Sequence, residues 1–311
     1  MQVNELAPMP LGAIESVVFL GTPEVAAGVL SSLVSAGVRI EMAITREDAK
    51  RGRGGATTPS PVRQVADRAG IPVRYSAEDV LDLPANPNRL GVVVAYGRII
   101  SAEVLSQVAM VNIHFSKLPR WRGAAPVERA ILEGDRVTAA DIMRVSFALD
   151  EGDVFHDLEL AIRAEHTVAS LRSELAELAT QALINDLKHG FPQATPQVGE
   201  ATYAKKIKKE ELVIDWSQSA EHISRVVRIG GGSTSFRGTE VKIRGARVAN
   251  EAPGAGPGSL TFDKTLRVAC GSGWLEVVEI QPSGKKSMSA ADWARGAHIS
   301  DGEMFGAVKH G

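Results

Sequence analysis

The chain has 311 residues, 44% hydrophobic and 23% charged, with a formal net charge of −2. That balance suits globular domains with a sizeable core and excludes a disordered chain. No run approaches the roughly 18 apolar residues that cross a bilayer, so no membrane partner and a cytoplasmic location are expected.

Residues 1–15 lack a basic start followed by an apolar segment, and they are expected to form a short, mobile extension ahead of the first strand. The apolar run at 16–20 ends in Gly21-Thr22-Pro23-Glu24, and a helical pattern follows to about residue 35. A strand, a glycine turn and a helix opened by proline begin an α/β unit. Further strands are predicted near 38–45, 90–95 and 108–114, with a helix at 61–69 among them. This alternation implies a mostly parallel sheet covered on both faces, with ligands bound beyond the carboxyl ends of the strands.

A helix is expected at 125–133, then β-like segments at 140–147 and 154–162, and a long periodic helix at 167–189. Residues 191–200 hold two prolines, a glycine and no apolar period, and read as a linker. The basic run Lys205-Lys206-Ile207-Lys208-Lys209 follows. Short segments at 239–243, 258–262, 266–270 and 274–280, separated by glycines, suggest a small β-barrel. Cys270, the single cysteine, excludes a disulfide within the chain and a thiolate metal cluster, and reads as a small buried residue. Residues 203–311 carry 16 Lys and Arg against 12 Asp and Glu. A polyanion would therefore meet this third more readily, provided the charges share a face.

The stretch with chemistry in it is 111–126. Asn112 and His114 are two apart at a strand end, so both point to one face. Leu149-Asp150-Glu151-Gly152-Asp153 supplies carboxylates in a turn between two strands. An amide and a protonated imidazole can hold an oxyanion, and a carboxylate can orient the imidazole and stabilise its charge; this suits acyl transfer to an amine. On spacing alone the alternatives stay open. His114 reads equally as a hydrogen-bonded core residue, Asn112 and Asp150 as turn formers, and Trp121 with Arg120 and Arg122 as a surface cluster.

The segment Asn112-Ile113-His114-Phe115-Ser116-Lys117-Leu118-Pro119-Arg120-Trp121-Arg122-Gly123-Ala124-Ala125-Pro126 closely resembles the signature of the methionyl-tRNA formyltransferase family. So do Gly21-Thr22-Pro23-Glu24, Thr58-Pro59-Ser60-Pro61-Val62, Val93-Val94-Ala95-Tyr96-Gly97 and 149–153. In the tail, Tyr203-Ala204-Lys205-Lys206, Ile214-Asp215-Trp216 and 280–288 resemble the tRNA enzyme over relatives that share only the catalytic domain.

The resemblance implies a Rossmann-like, mostly parallel α/β domain at 16–192, a basic linker at 193–212 and an OB-like β-barrel at 213–311. It implies Asn112, His114 and Asp150 as catalytic residues, acting on 10-formyltetrahydrofolate without a metal. The folate would meet Arg98, Ile99, Ile100, Ala148 and Leu149, with Ser116, Lys117, Leu118 and Pro119 lining the transferred group. Initiator methionyl-tRNA would meet Lys50, Arg51 and Arg53, the run Lys205, Lys206, Lys208 and Lys209, and Lys285 and Lys286. A monomer is expected. Amino-sugar or nucleotide-sugar formyl transfer, hydrolysis of 10-formyltetrahydrofolate, and a non-catalytic folate- or RNA-binding homologue are the competing functions.

The chain departs from the family pattern at several points. Ala49 stands where an arginine is usual, and Gly55 and Ala56 where lysines are common. Lys117 replaces a leucine, Ala139 a glycine and Asp141 a small hydroxyl residue; Arg144 replaces an uncharged polar one. Asp141 and Arg144, three apart, could form an ion pair across a bend, with no functional meaning. Gly230-Gly231-Gly232-Ser233 replaces a bulkier turn.

Overall fold

A computed structural model describes residues 5–50, 57–249, 255–300 and 302–306, with the backbone alone at 49, 50 and 57. The chain divides into two compact units. The first comprises Met1–Pro126, Val137–Ala161 and Leu171–Ala204; the second comprises Val127–Arg136, Ile162–Ser170 and Lys205–Gly311.

The first unit is built on β1 (Ser16–Gly21), α1 (Glu24–Ser35), β2 (Ile40–Ile44), the two-residue strands β3 (Ala49–Lys50) and β4 (Thr57–Thr58), and α2 (Pro61–Ala69). Then come β5 (Val73–Arg74), β6 (Arg89–Val94), α3 (Ala102–Gln107), β7 (Met110–His114), the short β8 (Arg122–Gly123), β9 (Val137–Arg144), β10 (Val154–Ala161), α5 (Val168–His189, from Leu171 on) and the short β11 (Tyr203–Ala204), while α4 (Pro126–Glu133), which follows β8 in the chain, belongs from Val127 on to the second unit. Seven strands form one sheet in the order β10-β9-β7-β6-β1-β2-β5. The five from β7 to β5 run parallel, while β9 lies antiparallel to both β7 and β10.

Every residue of β1 and β6 is buried, as expected of parallel strands covered on both sides. On one face Val18, Leu20, Met42, Ile44, Val93 and Met110 pack with Val104 and Leu105 of α3. α2 begins where its sequence says it should: Ser60 accepts the Arg63 N–H at 3.1 Å, Pro61 occupies the first turn, and Gly70 closes the helix in the left-handed region at φ 67°.

Residues 5–15 differ from the expected mobile extension. Ala7 N–H donates to Leu105 O at 2.9 Å, Ile14 N–H to Leu187 O at 2.8 Å and Glu15 N–H to Asn88 O at 3.0 Å. Residues 5–15 are thus stitched to α3, α5 and the approach to β6, and Ala7 is buried.

The second unit carries α6 (Ala220–Arg228), β12 (Gly232–Phe236), β13 (Thr239–Ala249), β14 (Leu260–Phe262), β15 (Leu266–Ala269), β16 (Trp274–Pro282), β17 (Met288–Ser289), α7 (Ala290–Ala297) and β18 (Phe305–Gly306). The antiparallel path runs β14-β15-β16-β13-β12-β18. Its two ends meet: Leu260 N–H donates to Glu303 O at 2.8 Å and Phe305 N–H to Gly258 O at 2.9 Å. This removes the open edges and gives a small barrel. Trp216, Ile223, Ile243, Leu275 and Phe305 fill its core. Cys270 is buried there, and burial pushes its thiol up to about 12, so it stays an inert packing group.

Candidate active site

The site begins at the carboxyl end of β7. Strand alternation turns Asn112 and His114 to the face that carries Met110; Asn112 lies between Val93 on β6 and Met143 on β9, and His114 opposite Asp141 on β9. Among the described residues no protein group hydrogen-bonds the Asn112 side chain, which is half-buried.

The His114 ring is 5% exposed. Its Nε2 lies 3.0 Å from the Trp121 carbonyl oxygen. A carbonyl only accepts, so Nε2 carries the hydrogen and Nδ1 is the nitrogen left for another partner. Nδ1 faces the Asp150 carboxylate, with Oδ2 3.8 Å away. That separation is long for a hydrogen bond but suits an ion pair with the imidazolium, and catalytic contacts commonly shorten on binding.

Asp150 reaches His114 by a detour. β9 runs antiparallel to β7, so its last residue, Arg144, lies beside Val111, and the loop 145–153 must turn back to approach His114. Asp150 takes the left-handed conformation, φ 54°, which aspartate tolerates better than most residues. Its Oδ2 accepts the Gly123 N–H at 2.7 Å. Gly152 is obligatory in the return: a Cβ there would lie 1.9 Å from the Arg144 carbonyl oxygen.

The residues expected to hold folate divide in two. Ile99 (92% exposed) and Leu149 (64%), the latter two residues after exposed Phe147, present apolar side chains on the segments that follow β6 and β9, the two neighbours of β7. Ala148 is also exposed, and its carbonyl accepts from Ser146 Oγ at 3.0 Å; Ile100 packs against the α3 side of the core. Arg98 turns one guanidinium nitrogen to the Tyr75 carbonyl at 3.0 Å.

The other group spends its polar atoms on the protein itself. Ser116 is buried and its hydroxyl donates to Arg120 O at 2.7 Å. The Lys117 ammonium pairs with Asp157 at 3.1 Å and with Glu159, both on β10. Leu118 and Pro119 are buried and joined by a cis peptide.

Of the residues expected to meet tRNA, Arg51 and Arg53 lie outside the described residues, and Lys50 is described only as backbone in β3, paired with Thr57. In the second unit Lys205, Lys206, Lys208 and Lys209 are exposed, while Arg129 holds the Lys205 carbonyl at 2.9 Å and pairs with Glu211 at 2.6 Å. Their backbone is thereby fixed with the ammonium groups facing water. Lys285 and Lys286 are exposed in the turn before β17. Among the described residues no group of three His, Cys, Asp or Glu side chains converges as metal ligands.

The Asp141–Arg144 ion pair is absent. Positions three apart on a strand face opposite ways, and Arg144 donates instead to the Ala7 carbonyl at 2.6 Å. Asp141 is buried directly across from His114, and its Oδ2 accepts the Leu118 N–H at 2.8 Å. Burial pushes its carboxyl up to about 8, with Asp157 adding to the rise. An acid inside the otherwise apolar run 139–143 was the signal for this position. The Trp121 carbonyl, the Gly123 N–H and Gln197 carried no such signal.

A mixed sheet with an amide, an imidazole and a carboxylate near the end of one strand, and a unit built as an antiparallel barrel, have the form of a formyl transferase. Residues 15–187 match the Formyl transferase family and 206–298 the Formyl transferase, C-terminal domain family. The chain is 41% identical to the methionyl-tRNA formyltransferase of Methylococcus capsulatus over 93% of its own length and 99% of that protein, and 39% identical to that of Roseobacter denitrificans over 93% and 98%. It belongs to the methionyl-tRNA formyltransferase family. Among solved structures, the N-formyltransferase of Helicobacter canadensis, in complex with folinic acid and dTDP-3-aminofucose, shares the fold at a TM-score of 0.64 and 15% identity, covering 86% of this chain and 99% of that one.

Proposed function

We propose that this protein transfers the formyl group of 10-formyltetrahydrofolate to the amino group of methionyl-initiator tRNA, as a monomer in the cytoplasm. The single observation that carries the reading is the approach of Asp150, from a loop that doubles back, to 3.8 Å from His114 at the end of β7. Relatives so named, matched across both halves of the chain, support the acceptor. The assignment of 16–192 to catalysis and of 213–311, with the 193–212 linker, to tRNA belongs to the same proposal.

The residues present fit a folate. The exposed apolar side chains of Ile99 and Leu149 offer contact for a flat ring, and the Asn112 amide is left open for a ligand oxygen. The donor supplies a formyl carbon on an aryl-substituted nitrogen, an amide weaker than a peptide. A bond forms between the methionyl nitrogen and that carbon, the bond from the carbon to the folate nitrogen breaks, and one proton passes from the amine to the departing nitrogen.

Asn112 and the Nδ1–H of the His114 imidazolium donate to the formyl oxygen as it gains charge, while Nε2–H stays on the Trp121 carbonyl. A preorganised donor of this kind contributes about 3–4 kcal/mol to lowering the barrier. Asp150 stabilises the imidazolium and sits where it can take the amine proton, while the Trp121 carbonyl keeps the ring from turning. Ser116, Lys117, Leu118 and Pro119 act as the wall that orders this arrangement.

The test is transfer of labelled formyl from 10-formyltetrahydrofolate to charged initiator tRNA, with elongator methionyl-tRNA and amino-sugar nucleotides as parallel acceptors and formate release measured without acceptor. Label on initiator tRNA in preference to the others is expected. Label on an amino sugar alone, or formate release at the same rate without tRNA, would overturn the proposal.

A further inference from the structure

Residues 188–205 lie between the two family matches and are covered by neither. Read from sequence, 191–200 is a linker; in the first unit its far half is instead bonded to the segments that build the site. Thr195 and Val154 exchange backbone hydrogen bonds at 2.8 and 2.9 Å. Thr202 Oγ1 accepts the Trp121 N–H at 2.9 Å, its carbonyl accepts the Arg122 N–H at 2.9 Å, and its own N–H donates to Pro119 O at 3.2 Å. The Ala204 carbonyl accepts from Ala124 and Ala125 at 3.0 and 3.2 Å.

Gln197 stands in the middle of this strap. Its Nε2 donates to the Asp150 carbonyl at 2.8 Å and to the Gly152 carbonyl at 2.9 Å. Its Oε1 accepts from Arg122 Nε at 3.1 Å and Nη2 at 2.8 Å, and Arg122 Nη1 pairs with Glu151 at 2.9 Å. A primary amide offers two donors and an acceptor in one plane, and here all are used at once. One end grips the backbone on which Asp150 sits; the other grips the segment holding the Gly123 N–H and the Trp121 carbonyl, the partners of Asp150 and His114.

We infer that Gln197 is a positioning residue: it ties the Asp150 loop to the 121–123 segment so that the carboxylate meets the imidazole. The inference rests on the catalytic role proposed for Asp150. A left-handed residue on a returning loop has no strand ladder to hold its carbonyl, and the Gln197 amide replaces one. Loss of the amide frees the loop, and small displacements of a catalytic group cost up to about 100-fold in rate.

The experiment compares formyl transfer by Gln197→Ala, Gln197→Glu, Asp150→Ala and the Asp150→Ala/Gln197→Ala double variant, with thermal melting to verify folding. Gln197→Ala is expected to lower kcat about 10- to 100-fold with KM for the folate donor changed less than about threefold, since the loss is one of alignment. Gln197→Glu keeps the acceptor for Arg122 but has no hydrogen to donate to the Asp150 and Gly152 carbonyls, so it should lose as much. In the Asp150→Ala background, Gln197→Ala should cost no more than about a further twofold, because groups acting as one unit are not additive. Wild-type kcat for either Gln197 variant, or a full multiplicative loss in the double variant, would overturn the inference. If Asp150→Ala itself keeps its turnover, the catalytic proposal fails; if it loses turnover while the Gln197 variants keep theirs, only the positioning role falls.

Discussion

At His114 the Trp121 carbonyl claims Nε2 and Asp150 faces Nδ1, so both ring nitrogens have a set direction. Substituting Asn112, His114 or Asp150 by alanine is therefore expected to cut turnover at least about 100-fold each, as for oxyanion and acid–base groups. Near-wild-type turnover in a folded variant removes that residue from the mechanism. Asp141, across the sheet from His114, makes a different prediction. An unfolded aspartate titrates near pH 4, whereas folded Asp141 titrates at about 8. Below the lower value both states hold the proton; between the two, folding takes up a proton and stability falls as pH rises; above the higher value the loss is complete. Asp141→Asn does not titrate, and it should gain on wild type by up to about 4 kcal/mol in urea unfolding as pH moves from about 5 to about 8. An identical difference at both pH values would assign the proton uptake to another group.

At the scale of elements, the return of the 145–153 loop depends on Gly152, whose hydrogen faces the Arg144 carbonyl. Gly152→Ala should displace the loop, costing about 1–3 kcal/mol of stability and at least about tenfold in turnover; a variant with unchanged kcat would show that the loop position is not needed. Elements with strong period were legible before any coordinates. The helix expected at 167–189 is α5 (Val168–His189), and Asn112 and His114 do share a face of β7. β12 escaped notice because Gly232-Ser233-Thr234-Ser235 looks like a turn. Its burial nevertheless alternates: Thr234 is fully buried, accepting from Trp216 Nε1 at 3.0 Å and donating to Gly306 O at 2.9 Å, and at Gly232 a Cβ would lie 2.4 Å from Ile214. A buried hydroxyl of this kind is recognised only once its partners are known.

For the whole molecule, the uneven charge now has a structural counterpart in the second unit: the lysines of 205–209 are exposed on a backbone pinned by Arg129. If these lysines neutralise about four phosphates, tRNA affinity should fall roughly 50-fold between about 50 and about 200 mM salt. Replacing Lys205 and Lys206 by alanine should then flatten the logarithmic salt slope by about 1.4. A wild-type affinity that ignores salt would assign no phosphate contacts to this run.

Sequence by itself determined the strongly periodic elements, the alternation of strands and helices in the first half, the shared face of Asn112 and His114, and the family, because periodicity and contiguous motifs are local properties of the chain. Only the tertiary structure decided that Asp150 arrives at His114, that Asp141 pairs with His114 in strand register while Arg144 turns to Ala7, and that a stretch resembling a linker holds the loop through Gln197. Those are meetings between segments far apart in the chain, and their geometry comes from strand register, a returning loop and hydrogen bonds that exist only once the sheet has formed.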